Sequence, residues 1–222
     1  MSYKIILTGA TGMVGEGVLL QCLDHPQIAE VMSVSRKPCG RSHPKLKEYI
    51  VPDFLALQDD DKILKGYDAC FFCAGVTSVG KNEADYTLLT YDTTLHFAEV
   101  LATQNPRMTF VYVSGAGTDS SEKGRVMWAR VKGKTENDLM KLPFKKVHNF
   151  RPAVMKLTPG QKNALPLYKY FAWMFPILKV LSPNSVSTLK QVGNAMINTL
   201  TIGSDKSILE VSDINELGNK TG

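Results

Sequence analysis

The chain has 222 residues, 44% of them apolar and 21% charged, which suits one domain with a continuous core and excludes a disordered protein. Its formal net charge of +5 is spread along the sequence instead of being gathered in a basic stripe, so no nucleic-acid partner is expected. The four histidines (25, 43, 96, 148) and the cysteines Cys22, Cys39, Cys70 and Cys73 show no ligand spacing, so no metal site is expected.

The opening "MSYKIILTGA" lacks the long apolar core of a signal peptide, and a cytoplasmic location is the expectation. Residues 3–9 read as an apolar strand, followed by a helix over 13–25. Between them, "LTGATGMVGEG" sets Gly9, Gly12 and Gly15 in a G-x-x-G-x-x-G array at a strand–turn–helix junction. Gly9 permits the sharp turn, Gly12 lets backbone approach a pyrophosphate, and Gly15 allows close helix–sheet packing. Phosphates would then meet free N–H groups at the positive end of the helix. The array therefore reads as a dinucleotide-binding turn.

A second strand over 30–35 runs into "SVSRKP". An acidic residue there would hold the ribose 2′-hydroxyl and repel a 2′-phosphate. Arg36 and Lys37 stand in its place, so NADP is expected over NAD; exposed basic residues at a strand end are the plainer reading. A third strand over 47–51 ends in "VPDF", where Asp53 is either an acceptor for the adenine amine or a solvated loop aspartate. The acidic cluster at 59–61 suits the start of a short helix.

"DACFFCAG" reads as a fourth strand that brings Ala74 and Gly75 to the cofactor crevice. Within it Cys70 and Cys73 are three residues apart and face opposite ways, so neither a disulfide nor a shared metal fits. A long helix over 82–103, a strand over 108–115, a helix over 122–141 and a strand over 145–152 follow. The alternation of buried strands and helices predicts an α/β fold, a parallel sheet covered on both sides. Residues 164–181 are apolar and aromatic but hold two lysines and two prolines, which argues for an amphipathic lid or buried helix pair over a membrane span. A helix over 187–200, with Ser187 as its cap, and the strand-like "SILEVSD" complete the chain.

Taken in order, the GATGMVG loop (Gly9, Ala10, Thr11, Gly12, Met13, Val14, Gly15), Arg36, Asp53, the "CAG" at 73–75, "VYVSGAG", Lys132 and "FRPAVM" resemble the short-chain dehydrogenase/reductase superfamily. The chain is most similar to its atypical branch, and within that to the Tat-interacting-protein, oxidoreductase-like group. The resemblance implies a three-layer, doubly wound Rossmann fold with strand order 3-2-1-4-5-6 and a seventh strand. It also implies one domain over 1–222, with a cofactor-binding core over 1–155 and a small substrate-lid region over 156–222.

The same resemblance implies a Tyr-x-x-x-Lys on the helix after the fifth strand, with the tyrosine as proton donor and the lysine on the nicotinamide ribose. Lys132 matches the lysine, and Ser114 lies near the position of the substrate-orienting serine, with Thr118 and Ser120 as alternates. Trp128 stands at the tyrosine position, and an indole has no proton to give in this range. Lys132 could instead simply pair with Glu136, and Trp128 could be core packing instead of a pocket wall. The expected function is that of an NADP-binding oxidoreductase acting on a small carbonyl or alcohol. Its machinery would be displaced, with Tyr168, Tyr170 or water giving the proton. The alternative is a catalytically silent NAD(P)H-binding sensor. Expected partners are the dinucleotide and a small substrate, without stable membrane insertion, in a monomer or homodimer.

Overall fold

Strands that bury both faces cannot stand at a wet surface, and here they fill the middle of one sheet. A computed structural model describes residues 2–163, 175 and 185–221. In it β1 (Tyr3–Thr8), β2 (Ile28–Ser35), β3 (Leu46–Ile50), β4 (Ala69–Phe72), β5 (Thr109–Val113) and β6 (Lys146–Arg151) join a late strand, β9 (Ile208–Glu210). The order is β3-β2-β1-β4-β5-β6-β9, every pair parallel. This is the expected doubly wound arrangement, including the seventh strand. Two further short strands, β7 (Val154–Lys156) and β8 (Val186–Thr188), form a small parallel pair that sequence pattern had not marked.

Side-chain alternation divides the interior into two cores. Ile5, Leu7, Phe71, Val111 and Phe150 face α1 (Met13–Asp24), α5 (Leu189–Thr201) and α6 (Val211–Asn219). Ile6, Met32, Cys70, Phe72 and Phe110 face the other way, against α3 (Thr93–Gln104) and Leu139 of α4 (Met127–Leu139). Cys70 and Cys73 thus pack against different cores, and all four cysteines are free thiols.

Three helix boundaries differ from the sequence expectation, each for a local reason. The helix expected at 82–103 is α2 (Glu83–Thr87), a π-helical turn at Leu88–Asp92, then α3. The helix expected from 122 starts at Met127, because Asp119 closes a turn first: its carboxylate accepts from the Ser121 and Gly124 backbone N–H groups at 3.0 and 2.7 Å. The cap of α5 is Thr188, not Ser187; Thr188 and Gln191 form a reciprocal capping box, while Ser187 is buried in β8. The apolar segment at 164–181, with Tyr168 and Tyr170, lies outside the described residues apart from Phe175. Among the described residues no helix is long and apolar enough to cross a membrane.

Candidate functional site

The strands end, carboxyl side up, in a crevice at the point where the order turns from β1 to β2 on one side and β4 on the other. Such switch points are where open α/β sheets hold ligands. Gly9, with φ of +74°, makes the turn out of β1, and a Cβ there would lie 2.7 Å from the Ala74 nitrogen. Gly12 caps α1, and its N–H donates to the Gly9 carbonyl at 2.9 Å. Gly15 is the tightest of the three: a Cβ would sit 2.1 Å from the Gly9 oxygen. Its close contact is with the turn, which brings the start of α1 down onto the loop. The Thr8 hydroxyl accepts from the Ala74 N–H at 3.1 Å and ties the ends of β1 and β4 together.

Of the residues picked from sequence, Gly9, Thr11, Gly12, Arg36, Ala74 and Gly75 line this one crevice. Arg36 is exposed beside it. Ala10 is buried beneath the turn, and Met13 and Val14 pack partly on the core. Lys37 and Asp53 are not part of the lining. Lys37 is exposed and its carbonyl accepts from the Ser35 hydroxyl at 2.7 Å. The Asp53 carboxylate accepts from the Leu55 N–H at 2.9 Å and caps a short 3-10 turn, Phe54–Ala56. That turn carries Phe54 into the lining instead, a residue that sequence reasoning missed.

Lys132 and Ser114 meet at a second place, between the end of β5 and α4, with Trp128 one turn before Lys132 on that helix. The Lys132 ammonium donates to the Ser114 carbonyl. Burial pulls its pKa down to about 8, against an opposing pull from Glu136. The direct Lys132–Glu136 pair allowed by spacing does not form. Glu136 is fully buried and is gripped by Arg151 from β6, whose Nε lies 3.0 Å from Oε1 and whose Nη2 pairs with Oε2. Arg151 also reaches Glu210 at 3.1 Å and the Ser120 hydroxyl at 2.6 Å.

Ser114 is buried, and its hydroxyl lies within hydrogen-bonding reach of Glu136 and of the Phe150 carbonyl, at 3.1 Å from the latter. Its side chain is therefore committed inside the protein rather than free for a substrate oxygen. Thr118 and Ser120 are engaged as well, with the Gly115 carbonyl at 2.7 Å and with Arg151. Trp128 is partly buried and joins neither core. Its ring lies over Gly117, where a Cβ would be 3.5 Å from Cη2.

The first turn of α1 has a further cluster that no motif announced. Glu16 is buried and paired with Arg41, and it accepts from the Lys162 and Asn163 N–H groups at 3.0 and 2.6 Å. Burial alone would raise its pKa, but Arg41 and the two N–H donors outweigh that and hold it below the ordinary carboxylate value.

A parallel sheet wound on both sides, with a glycine turn at its switch point, defines a protein of the dinucleotide-fold class. Residues 5–125 match the NAD dependent epimerase/dehydratase family, and the chain belongs to it. Among its relatives is leucinostatins biosynthesis cluster protein T of Purpureocillium lilacinum, 30% identical over 62% of this chain and 51% of that protein. The mitochondrial protein fmp52-1 of Aspergillus terreus is 25% identical over 73% of this chain and 71% of that one. Protein HTATIP2 of Rattus norvegicus is 25% identical over 68% and 62%. This chain therefore spans about half the length of the first of these relatives and roughly two thirds of the others. The structure of the Bordetella bronchiseptica enzyme WbmF with NAD+ and UDP shares the fold, with a TM-score of 0.64 at 17% identity, over the whole of this chain and 79% of that one.

Proposed function

We propose that the chain binds NADP(H) across its glycine turn and acts as an atypical oxidoreductase on a small carbonyl or alcohol. The observation that carries this reading is the crevice itself. Gly9 and Gly15 touch backbone where any side chain would collide, and Arg36 stands on the same lining as Gly9 and Gly12. The free N–H groups at the start of α1 suit a pyrophosphate, and Arg36 suits a 2′-phosphate as a planar fork. WbmF, which carries NAD+ in the same fold, supports the dinucleotide part of the reading. Bound NADPH would supply a hydride to the carbonyl carbon, and water would supply the proton to its oxygen.

The chain's own part is to hold and to position. Lys132 is set to exchange its bond to the Ser114 carbonyl for one to a ribose hydroxyl, and Arg151 keeps the buried Glu136 from drawing Lys132 away. Ser114 acts as a positioning residue through its carbonyl. Trp128 favours a second reading, that of an NAD(P)H-binding sensor without turnover, because it offers no acid where the family places a tyrosine.

One paired experiment tests both. NADPH and NADH are titrated by fluorescence into wild type and Arg36→Ala, and NADPH oxidation is then followed against a panel of carbonyl compounds with wild type and Trp128→Tyr. The expected result is NADPH binding that weakens about tenfold in Arg36→Ala while NADH binding holds, consistent with the loss of one charge-assisted contact. Failure of both cofactors to bind would refute the reading. Turnover by Trp128→Tyr alone would favour the sensor.

A further inference from the structure

The opposite, amino-terminal end of the strands is not used by the site described above. It holds a cavity of about 500 Å³, floored by Tyr3 of β1, Thr109 of β5 and His148 of β6 and walled by the turn after α5. That volume is in the range that takes a small molecule instead of a single ion. Strands of this length set it about 15–20 Å from the glycine turn.

His148 is the most deeply buried member of the lining, only 1% exposed. Its Nδ1 lies 2.7 Å from the Lys206 carbonyl, an acceptor only, so Nδ1 carries the hydrogen. Burial holds the ring's pKa below its ordinary value, with the Lys146 charge adding to that and the Lys206 carbonyl opposing it. The neutral ring then has Nε2 as a bare acceptor, and among the described residues nothing donates to it.

The cavity lining also holds three cations, Arg107, Lys145 and Lys146. Among the described residues Arg107 and Lys145 have no ion-pair partner, and Lys146 faces Asp205 at 3.7 Å and donates to the Ser204 carbonyl at 3.5 Å. The carboxylates of the lining are Asp68 and Asp205, and Asp68 already accepts from the Lys4 N–H at 2.8 Å. At the negative end of α5, Tyr3 donates to the Leu200 carbonyl at 3.2 Å and the Gly203 N–H to that of Asn198 at 2.9 Å. Three cations against two carboxylates leave one net positive charge at the mouth, above one hydrogen-bond acceptor at the floor.

We propose that this cavity binds a small hydroxylated phosphate monoester, its phosphoryl oxygens on Arg107, Lys145 and Lys146 and a hydroxyl donating to His148 Nε2. The charge calls for an anion, and the bare acceptor calls for a ligand that also brings a donor. Sulfate meets the first demand and not the second, so it is the discriminating control.

The test follows the His148 ring nitrogens by NMR in the full chain, so that phosphate binding at the glycine turn does not confuse the readout. Glycerol 3-phosphate is the probe, with sulfate and glycerol as controls, in wild type and in the double variant Arg107→Ala/Lys145→Ala. Both substituted positions are exposed, and the buried histidine is kept in every arm. The expected result is a saturable Nε2 shift with glycerol 3-phosphate, at least about tenfold weaker binding of sulfate, and a loss of about tenfold or more in the double variant, as charge-assisted contacts imply. No shift at His148, an equal response to sulfate, or unchanged binding in the double variant would each overturn the proposal.

Discussion

The glycine turn and the β5–α4 corner are built on different physical terms. At the turn the determining contacts are backbone on backbone: Gly15 lies where a methyl group would sit 2.1 Å from the Gly9 oxygen. At the corner one contact is of the same kind, Gly133 against the Asp119 carbonyl, but the rest depends on buried charge. Lys132, Glu136, Arg151 and Ser114 come from three elements and hold one another. The turn thus gets its shape from what is missing on the chain, and the corner from what is paired across it.

The sharpest way to break that contrast is to unpair the charge. Arg151→Met leaves Glu136 buried without its main partner, and truncating one side of such a pair costs about 3–5 kcal/mol. Denaturant unfolding should show that loss, with much of it recovered in Arg151→Met/Glu136→Gln. A single variant as stable as wild type would show that the corner does not rest on this pair.

The same comparison explains what could be read from sequence. A backbone approach that excludes a side chain leaves glycines in the chain, so the turn and its position were legible, while the sheet order came from the family resemblance. The pair of Glu136 and Arg151 leaves no such mark. Glu136 stands one turn after Lys132 and reads as its surface partner, whereas the fold brings in Arg151 from a strand 15 residues further on. Ser114 follows β5 directly, and its side chain could not be judged from sequence, because only the packed structure shows Glu136 and the Phe150 carbonyl around the hydroxyl.

Next in size are the two glycine contacts. Gly15→Ala and Gly133→Ala each force a methyl group onto backbone that cannot yield as a side chain would, and each should cost about 3 kcal/mol, the upper end for overpacking. Their functional signatures should differ. Gly15→Ala should abolish cofactor binding, whereas Gly133→Ala, which pushes α4 from its loop, should leave the pyrophosphate site intact and weaken affinity only in part. Equal loss of binding in both would show that the two regions form a single unit.

A smaller effect comes from Lys132 and has a sign that can be fixed. Its folded pKa of about 8 lies below that of an unfolded lysine, so between those values the unfolded chain binds more protons. The folded state should therefore gain on the unfolded one as pH rises from about 8 to about 10.5, by about 3 kcal/mol. Lys132→Met lacks this gain. The stability difference between wild type and variant should move toward wild type across that window, and a difference flat with pH would show that the ammonium is not desolvated as the corner implies.

The smallest expected effect concerns a residue that sequence placed at the cofactor and the structure places beside it. Asp53 caps the turn that carries Phe54, through its bond to the Leu55 N–H. Asp53→Ala should lower stability by about 0.5–1 kcal/mol, the cost of a lost cap. Asp53→Asn keeps a side-chain acceptor and should restore most of it. If the carboxylate acted on cofactor directly, the asparagine variant would bind it as poorly as the alanine one. If Asp53 works by holding Phe54 against the crevice, Asp53→Asn should bind like wild type and Phe54→Ala should be the more damaging change. The glycine turn would then extend its rule one strand further: what touches the ligand there is set by backbone geometry, and the carboxylate serves the backbone.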